Sequence, residues 1–383
     1  MPSPGEPSRA VDAGAALRPE PATPYILIDL DVVRQRYAAL QQQLPDASIY
    51  YAVKANPAVP VIAALAVLGA NFDIASEGEL TRCREAGIGA DRLSFGNTIK
   101  RESEIADAAA FGIDLFALDS PGELDKLARR APGTRVFCRL LIENRSAEWP
   151  LSRKFGCEAH VAADLLLAAR DRGLRPVGVS FHVGSQQVDP GQWPIAISHA
   201  AWVFRACEHR GLELELLNLG GGLPAHYRAS VPPLEAYIDA ISSGLAREFG
   251  GSRPNLLIEP GRYLVGDAGI LKTEVLLISQ KSRHEHARWV YLDAGRFNGL
   301  PETEDERIHY RIRTPCDGGA SGPAIIAGPT CDSNDILYRR HPYELPLGLQ
   351  IGDRIEFLSA GAYTASYAAV EFNGFAPIRT YCV

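Results

Sequence analysis

The chain has 383 residues, with 39 Lys and Arg against 46 Asp and Glu, for a formal net charge of −7. At roughly 150 residues per domain this suggests two or three domains, although one α/β barrel absorbs about 250. Hydrophobic residues make up 46% and charged residues 22%, a core-forming composition that excludes wholesale disorder. The acidic balance excludes a general nucleic-acid binder. The absence of an apolar run of about 18 residues excludes a membrane-spanning helix.

Residues 1–23 are rich in Pro, Ala and Ser and lack the basic segment and apolar run of a secretory signal; they read as a flexible tail. The seven cysteines (Cys83, Cys138, Cys157, Cys207, Cys316, Cys331, Cys382) are scattered, odd in number and never spaced C-x-x-C. That argues against a disulfide framework and against a zinc site, so no metal is expected, and it points to a reducing, cytoplasmic compartment.

Residues 24–46 precede the first repeat and contain Tyr25-Ile26-Leu27-Ile28-Asp29-Leu30, a strand pattern that reads as joining a later β domain. From 47 to about 269 one phrase recurs: a short apolar run, then a polar or glycine end, then a helical stretch. Eight candidate strands follow, at 49–54, 72–74, 93–95, 115–119, 136–140, 177–182, 214–219 and 256–259. The segments 59–68, 77–86 and 162–172 between them carry apolar residues at helical spacing. Eight such units predict a (β/α)8 barrel, with a doubly wound open sheet as the alternative. After 270 the helical phrase fades, and strands are expected at 271–279, 289–292, 308–312, 324–327, 354–358 and 378–383. Residues 270–383 are therefore read as a second, β-rich domain.

In a barrel the residues at the carboxyl ends of the strands line the mouth. Here they include Lys54, Asp73, Asn97, Asp119, Arg139, His182, Gly220-Gly221-Gly222 and Glu259-Pro260-Gly261-Arg262. Singly, each has a plain reading. A strand-end lysine is usually solvated, a glycine triplet is usually a turn, an arginine is usually a surface ion pair, and His182 and Glu259 are ordinary polar residues at a barrel mouth. Together they are the parts of a pyridoxal phosphate site: a lysine able to form a Schiff base, backbone N–H groups and an arginine for the phosphate, an imidazole to stack, and a carboxylate for a pyridinium nitrogen.

The same residues fall in motifs. Tyr51-Ala52-Val53-Lys54-Ala55-Asn56, Phe72-Asp73-Ile74-Ala75-Ser76, Phe181-His182-Val183-Gly184-Ser185, Gly220-Gly221-Gly222, Glu259-Pro260-Gly261-Arg262, Gly328-Pro329-Thr330-Cys331-Asp332 and Gly361-Ala362-Tyr363-Thr364 occur in that order. From about residue 24 to 383 the chain resembles the pyridoxal-phosphate-dependent decarboxylases with the alanine-racemase type of barrel, within them the ornithine (lysine/ornithine) decarboxylase branch.

The resemblance implies a set of roles. Lys54 bonds the cofactor, His182 stacks on its ring and Glu259 pairs with its nitrogen. Ser185, Gly221, Gly222, Arg262 and Tyr363 hold the phosphate, with Asp73 and Arg139 beside the cofactor. Cys331 donates a proton after carbon dioxide leaves, and Asp332, with Cys331 and Tyr363, meets the substrate. It also implies a homodimer with shared active sites, because Cys331 and Asp332 reach the partner's site; a cross-subunit pair between Lys154 and Asp335; and a mobile loop at 143–153. The expected reaction is α-decarboxylation of a basic L-amino acid in polyamine biosynthesis, L-ornithine to putrescine first, with L-lysine to cadaverine beside it. No nucleic acid or membrane partner is expected.

The segment Leu300-Pro301-Glu302-Thr303-Glu304-Asp305 departs from the Tyr-Asp pair of eukaryotic ornithine enzymes and is closer to the bacterial lysine/ornithine pattern. Diaminopimelate decarboxylases resemble the chain at Gly266-Asp267-Ala268-Gly269, but their substrate carries a distal carboxylate and needs a cationic pocket. The acidic segment opposes that, unless Arg296 points inward. The non-enzyme alternative is a catalytically silent regulatory homologue. Such proteins usually lose the cofactor lysine or the cysteine, and this chain keeps Lys54 and Cys331.

Overall fold

A computed structural model describes residues 19–143, 147–149, 153–369, 373 and 377–383. The tail expected over 1–23 lies outside the described residues as far as residue 18. The chain divides into two compact units. One holds Val33–Asp267 with Arg307–His309, and the other holds Ala268–Glu306, Tyr310–Val383 and the described residues up to Val32.

The first unit is a closed barrel of eight parallel strands: Ala47–Ala52, Asn71–Ile74, Leu93–Phe95, Leu115–Leu118, Arg135–Arg139, Arg175–Ser180, Leu216–Asn218 and Asn255–Ile258. Each coincides with one of the eight expected strands to within two residues at either end. The last strand closes onto the first through Leu256–Ala47, Leu257–Ser48 and Ile258–Ile49. The strands run apolar on both faces because the barrel interior covers one and the helices the other. Inside, Leu115, Ala117, Phe137, Val177 and Leu257 pack as one cluster, the side-chain filling that makes such a barrel a core rather than a pore.

Local chemistry sets the strand-to-helix turns. Ser76 Oγ accepts the Glu79 N–H at the start of helix Glu77–Glu85, and Ser120 Oγ does the same for Glu123 at helix Pro121–Arg130. Both caps satisfy a helix N–H that has no partner within the helix.

The second unit is an eight-stranded mixed sheet. The long strand Gly269–Ser279 pairs antiparallel with Tyr25–Ile28, Arg288–Leu292 and Arg354–Leu358. Arg379–Cys382 lies parallel to Tyr25–Ile28, and Ser321–Ala327 lies between Arg288–Leu292 and Tyr343–Pro346. Gly269 and Gly361 lie back to back, since a Cβ on Gly269 would come within 2.2 Å of the Gly361 backbone. Two expectations change. The strand expected at 308–312 starts only at Arg311, because the His309 carbonyl accepts the Arg228 N–H in the barrel unit. The strand Tyr343–Pro346 was not expected from the sequence.

Asp267 belongs to the barrel unit and has a structural task. Its carboxylate accepts from Arg36 Nη2 at 2.6 Å and from the His226 backbone at 2.9 Å, with His226 Nδ1 at 2.8 Å. Burial pushes its pKa up, but the His226 bonds and the Arg36 charge outweigh this and hold it down at about 2. A carboxylate depressed from its ordinary 3.8 contributes about 2 kcal/mol above pH 4. That contribution is lost as pH falls from about 4 to 2. Asp267→Asn is therefore expected to lower unfolding free energy by about 2 kcal/mol at pH 7 and to leave a smaller loss of stability over that acid window. Denaturant melts from pH 7 to pH 2 check both; parallel curves for the two chains would contradict the assignment.

Candidate active site

The barrel brings Lys54, Asp73, Arg139, His182, Ser185, Gly221, Gly222, Glu259 and Arg262 to the carboxyl ends of its strands. Lys54 is not the last residue of its strand, as the sequence suggested. It sits in the short turn Val53–Ala55 beyond Ala47–Ala52. The turn is fixed because Val53 and Ala55 are buried, Tyr51 donates its hydroxyl to the Asn56 carbonyl at 2.8 Å, and the Ala52 N–H donates to Pro260 O. The Lys54 side chain stays 45% exposed, with Nζ 3.8 Å from Asp73 Oδ2.

Asp73 is 4% exposed, and its Oδ1 has no hydrogen-bond partner among the described residues. Burial and the nearby Glu259 push its pKa well up, and Lys54 pulls the other way. Gly96 faces it, because a Cβ there would lie 2.1 Å from Asp73 Oδ1. Arg139 works against burial to stay charged, supported by Glu259, Asp119 and Asp73, and its guanidinium carbon lies 5.0 Å from the Phe155 ring centroid.

His182 follows strand Arg175–Ser180 and accepts the Gly184 N–H at Nδ1, 3.0 Å away. Burial, with the charges of Arg139 and Lys54, pushes its pKa well below the ordinary value. The ring is therefore neutral near pH 7, with its proton on Nε2. Gly221 lies against it: a Cβ there would meet His182 Nε2 at 3.1 Å and Glu259 O at 2.7 Å. Gly220 (φ 63°) and Gly222 (φ 126°) adopt backbone conformations that disfavour other residues.

Glu259 Oε1 accepts from Asn218 Nδ2 at 2.5 Å, and Asn218 Oδ1 accepts the Gly220 N–H at 2.9 Å. One buried amide thus joins the carboxylate to the glycine loop. Arg262 is 3% exposed. It donates Nη1 to the Tyr227 hydroxyl at 2.6 Å and Nη2 to Ser185 Oγ at 3.1 Å. Ser185 itself starts the strand Ser185–Gln187, which pairs with Ala147–Trp149. Residues 144–146 and 150–152 of the loop expected over 143–153 lie outside the described residues.

Cys331, Asp332 and Tyr363 lie in the other unit, so this barrel alone does not assemble the whole expected set. Cys331 is exposed, and its N–H donates to Asn373 Oδ1 at 3.0 Å. Asp335, buried in the same loop, accepts from the Arg296 N–H, the Thr330 N–H and the Thr330 hydroxyl of its own chain. Tyr363 has a positive φ of 55°. Arg296 Nη2 lies 2.6 Å from Glu304 Oε1.

Sequence reasoning missed Asn218, Tyr227, Gly96 and Glu79. Glu79 accepts the Ala75 N–H at 2.7 Å, and its pKa rises through burial, partly offset by that bond and by the Lys54 charge. Its signal was the Ser76-x-x-Glu79 spacing, a helix-start pattern that also turns Glu79 back toward the strand end.

The family described as pyridoxal-dependent decarboxylase, pyridoxal binding domain, matches residues 30–266. The chain belongs to the pyridoxal-dependent decarboxylases. It is 36% identical over 355 residues to the lysine/ornithine decarboxylase of Selenomonas ruminantium, covering 92% of this chain and 88% of that one. The structure of SrLDC in complex with PLP and cadaverine superposes with a TM-score of 0.86 at 33% identity, covering 95% and 91% of the two chains. The lysine/ornithine decarboxylase from Vibrio vulnificus, complexed with cadaverine, gives 0.85 at 32% identity, covering 94% of each.

This decarboxylase is thus a pyridoxal-phosphate-dependent carboxy-lyase, and its barrel fits that cofactor. A buried carboxylate oxygen on Asp73 has no partner among the described residues. The glycine loop packs so closely on the strand ends that a Cβ at Gly220, Gly221 or Gly222 would come within 1.9 to 2.7 Å of the Phe181, Glu259 and Gly184 carbonyl oxygens, so backbone alone faces the mouth there. A buried guanidinium and a hydroxyl, Arg262 and Ser185, stand ready for a phosphate.

Proposed function

We propose that this decarboxylase removes the α-carboxylate of a basic L-amino acid whose far end is an ammonium, converting L-ornithine to putrescine and L-lysine to cadaverine. The single observation that carries the distal ammonium is the Arg296–Glu304 pair at 2.6 Å. Arg296, the cation that could make the acidic segment receptive to a distal carboxylate, is paired within that segment. The meso-diaminopimelate reading loses its basis on that ground. Similarity to lysine/ornithine decarboxylases and to a structure holding cadaverine supports the same substrate class.

When bound, pyridoxal phosphate supplies a ring that accepts the electron pair left as carbon dioxide departs. The chain's own residues do the rest. Lys54 supplies the amine that holds the cofactor and later frees the product, with Asp73 beside it. Glu259, oriented by Asn218, keeps a proton on the ring nitrogen and so stabilises the charge that develops. The neutral His182 packs on the ring without adding a competing charge, and Arg139 balances the carboxylates around it. Ser185, Gly221, Gly222 and Arg262, with Tyr363, hold the phosphate. Cys331 delivers the proton to Cα, and Asp332 meets the distal ammonium.

In this reading Cys331 and Asp332 serve the partner's barrel, so the working form is a homodimer with shared sites. The compartment is the cytoplasm, in keeping with seven free cysteines, and the diamine products feed polyamine biosynthesis. Glu304→Gln tests the pocket's charge. Freed from its partner, Arg296 should lower kcat/KM for ornithine and lysine by up to about fivefold, the reach of one partly exposed charge. An unchanged value would show that Arg296 does not face the substrate's far end.

A further inference from the structure

Two thiols on the barrel take no part in this chemistry. Cys138, on strand Arg135–Arg139, and Cys157 place their Sγ atoms 3.6 Å apart. The backbone holds them there. Cys157 N–H donates to Arg139 O at 3.1 Å, and Leu141 N–H donates to Cys157 O at 2.8 Å, a short parallel bridge between Leu140 and Cys157. Cys138 is completely buried, whereas Cys157 is partly exposed. One thiol of the pair therefore meets solvent and the other lies beneath it.

The surroundings suit a two-step oxidation. A disulfide needs sulfurs about 2.0 Å apart, so closure from 3.6 Å requires about 1.6 Å of sulfur movement, on the scale of side-chain rotation. The contact with Cys157, together with burial, pushes the Cys138 thiol well up, which makes it a poor first attacker. Cys157 is the thiol an oxidant reaches. The other cysteines differ: Cys83 and Cys207 are buried, and Cys316, Cys331 and Cys382 belong to the other unit.

We propose that Cys138 and Cys157 form a redox-modification site at which a hydroperoxide closes an intramolecular disulfide. With hydrogen peroxide, Cys157 Sγ attacks the O–O bond, which breaks to give a sulfenic acid on Cys157 and one water. Cys138 Sγ then attacks that sulfur; its thiol proton leaves with the displaced hydroxyl as a second water, and the S–S bond forms. The two thiols lose two electrons in all, and the peroxide gains them. The cross-link joins the neighbour of Arg139 to the segment carrying Phe155, whose ring centroid lies 5.0 Å from the Arg139 guanidinium carbon. Oxidation thus clamps a flank of the cofactor site. The site does not depend on which amino acid is decarboxylated.

The test is hydrogen peroxide treatment of the holoenzyme and of its Cys331→Ala variant, the latter to remove an exposed thiol, followed by peptide mapping without reductant. The expected result is a Cys138–Cys157 disulfide peptide, a mass lower by two hydrogens, reversal by a dithiol, and slower proteolysis between the two cysteines. Cys157→Ser and Cys138→Ser should both lose that peptide. Cys157 is partly exposed, so its variant keeps the test open if the buried Cys138→Ser fails to fold. Oxidation of Cys157 to a sulfinic acid with Cys138 still a free thiol would overturn the proposal. So would disulfides formed only by other cysteines.

Discussion

Lys54→Ala is expected to lower kcat by on the order of 10³-fold or more, and to abolish the visible absorbance of the lysine-bound cofactor. In the proposed mechanism the effect is large because Lys54 both holds the cofactor and frees the product. Its turn is set by Val53, Ala55 and the Tyr51–Asn56 bond, so the shortened side chain should leave the fold intact. Cys331→Ala should also be slow, but with the absorbance retained, because in the proposed mechanism that residue acts after carbon dioxide leaves. If the sites are shared, mixing the two inactive chains and allowing them to exchange should recover about a quarter of wild-type activity. Half of the dimers are then mixed, and each has one complete site of two. No recovery despite exchange would contradict the shared site, and an unchanged Lys54→Ala spectrum would contradict the role of Lys54.

Glu259→Gln is the second large loss, about 10²- to 10³-fold in kcat, the range seen when one preorganised electrostatic partner of a developing charge is removed. The substitution keeps the side chain's shape but removes the charge proposed to retain a proton on the cofactor nitrogen. Arg139 would then face Asp119 and Asp73 without the third carboxylate that supports it. Wild-type turnover in Glu259→Gln, with the cofactor bound, would remove Glu259 from the chemistry. Asn218→Ala offers a graded comparison, since it leaves the charge but loses the 2.5 Å bond that orients it.

The barrel was legible because each strand ends in residues whose chemistry differs from the apolar run before it. Lys54, His182 and Glu259 announced strand ends, and the strands end one or two residues before them. The β unit was harder to read. Tyr343–Pro346 follows Pro342 and itself ends on a proline, residues that normally mark a break, yet among the described residues it pairs only with Ser321–Ala327 and so tolerates a missing donor as an edge strand. Residues 308–312 looked like one strand, but three residues from Arg307 to His309 are held by the barrel unit.

Within the site, the residues proposed to act directly were read from the sequence, whereas those that orient them were not. Asn218 looked like one polar residue in an apolar run, and its task shows only once Gly220 and Glu259 lie beside it. Gly96 carries no signal until the Asp73 carboxylate occupies the space of its missing Cβ. Cys331, Asp332 and Tyr363 were read from resemblance alone, because no periodicity links the β unit to the barrel mouth. The Gly266-Asp267 stretch, which resembled the diaminopimelate enzymes, proves to be a structural tie to Arg36 and His226.

The central claim is a decarboxylase whose pocket takes a distal ammonium. The measurement that tests it most directly gives the wild-type holoenzyme an equimolar mixture of ornithine, lysine, arginine and meso-diaminopimelate, with products read by mass spectrometry. The expected products are putrescine and cadaverine, in a ratio that ranks the two substrates, with no lysine formed from diaminopimelate. Lysine as the main product would mean that Arg296 is not silenced by Glu304 and that the pocket is cationic.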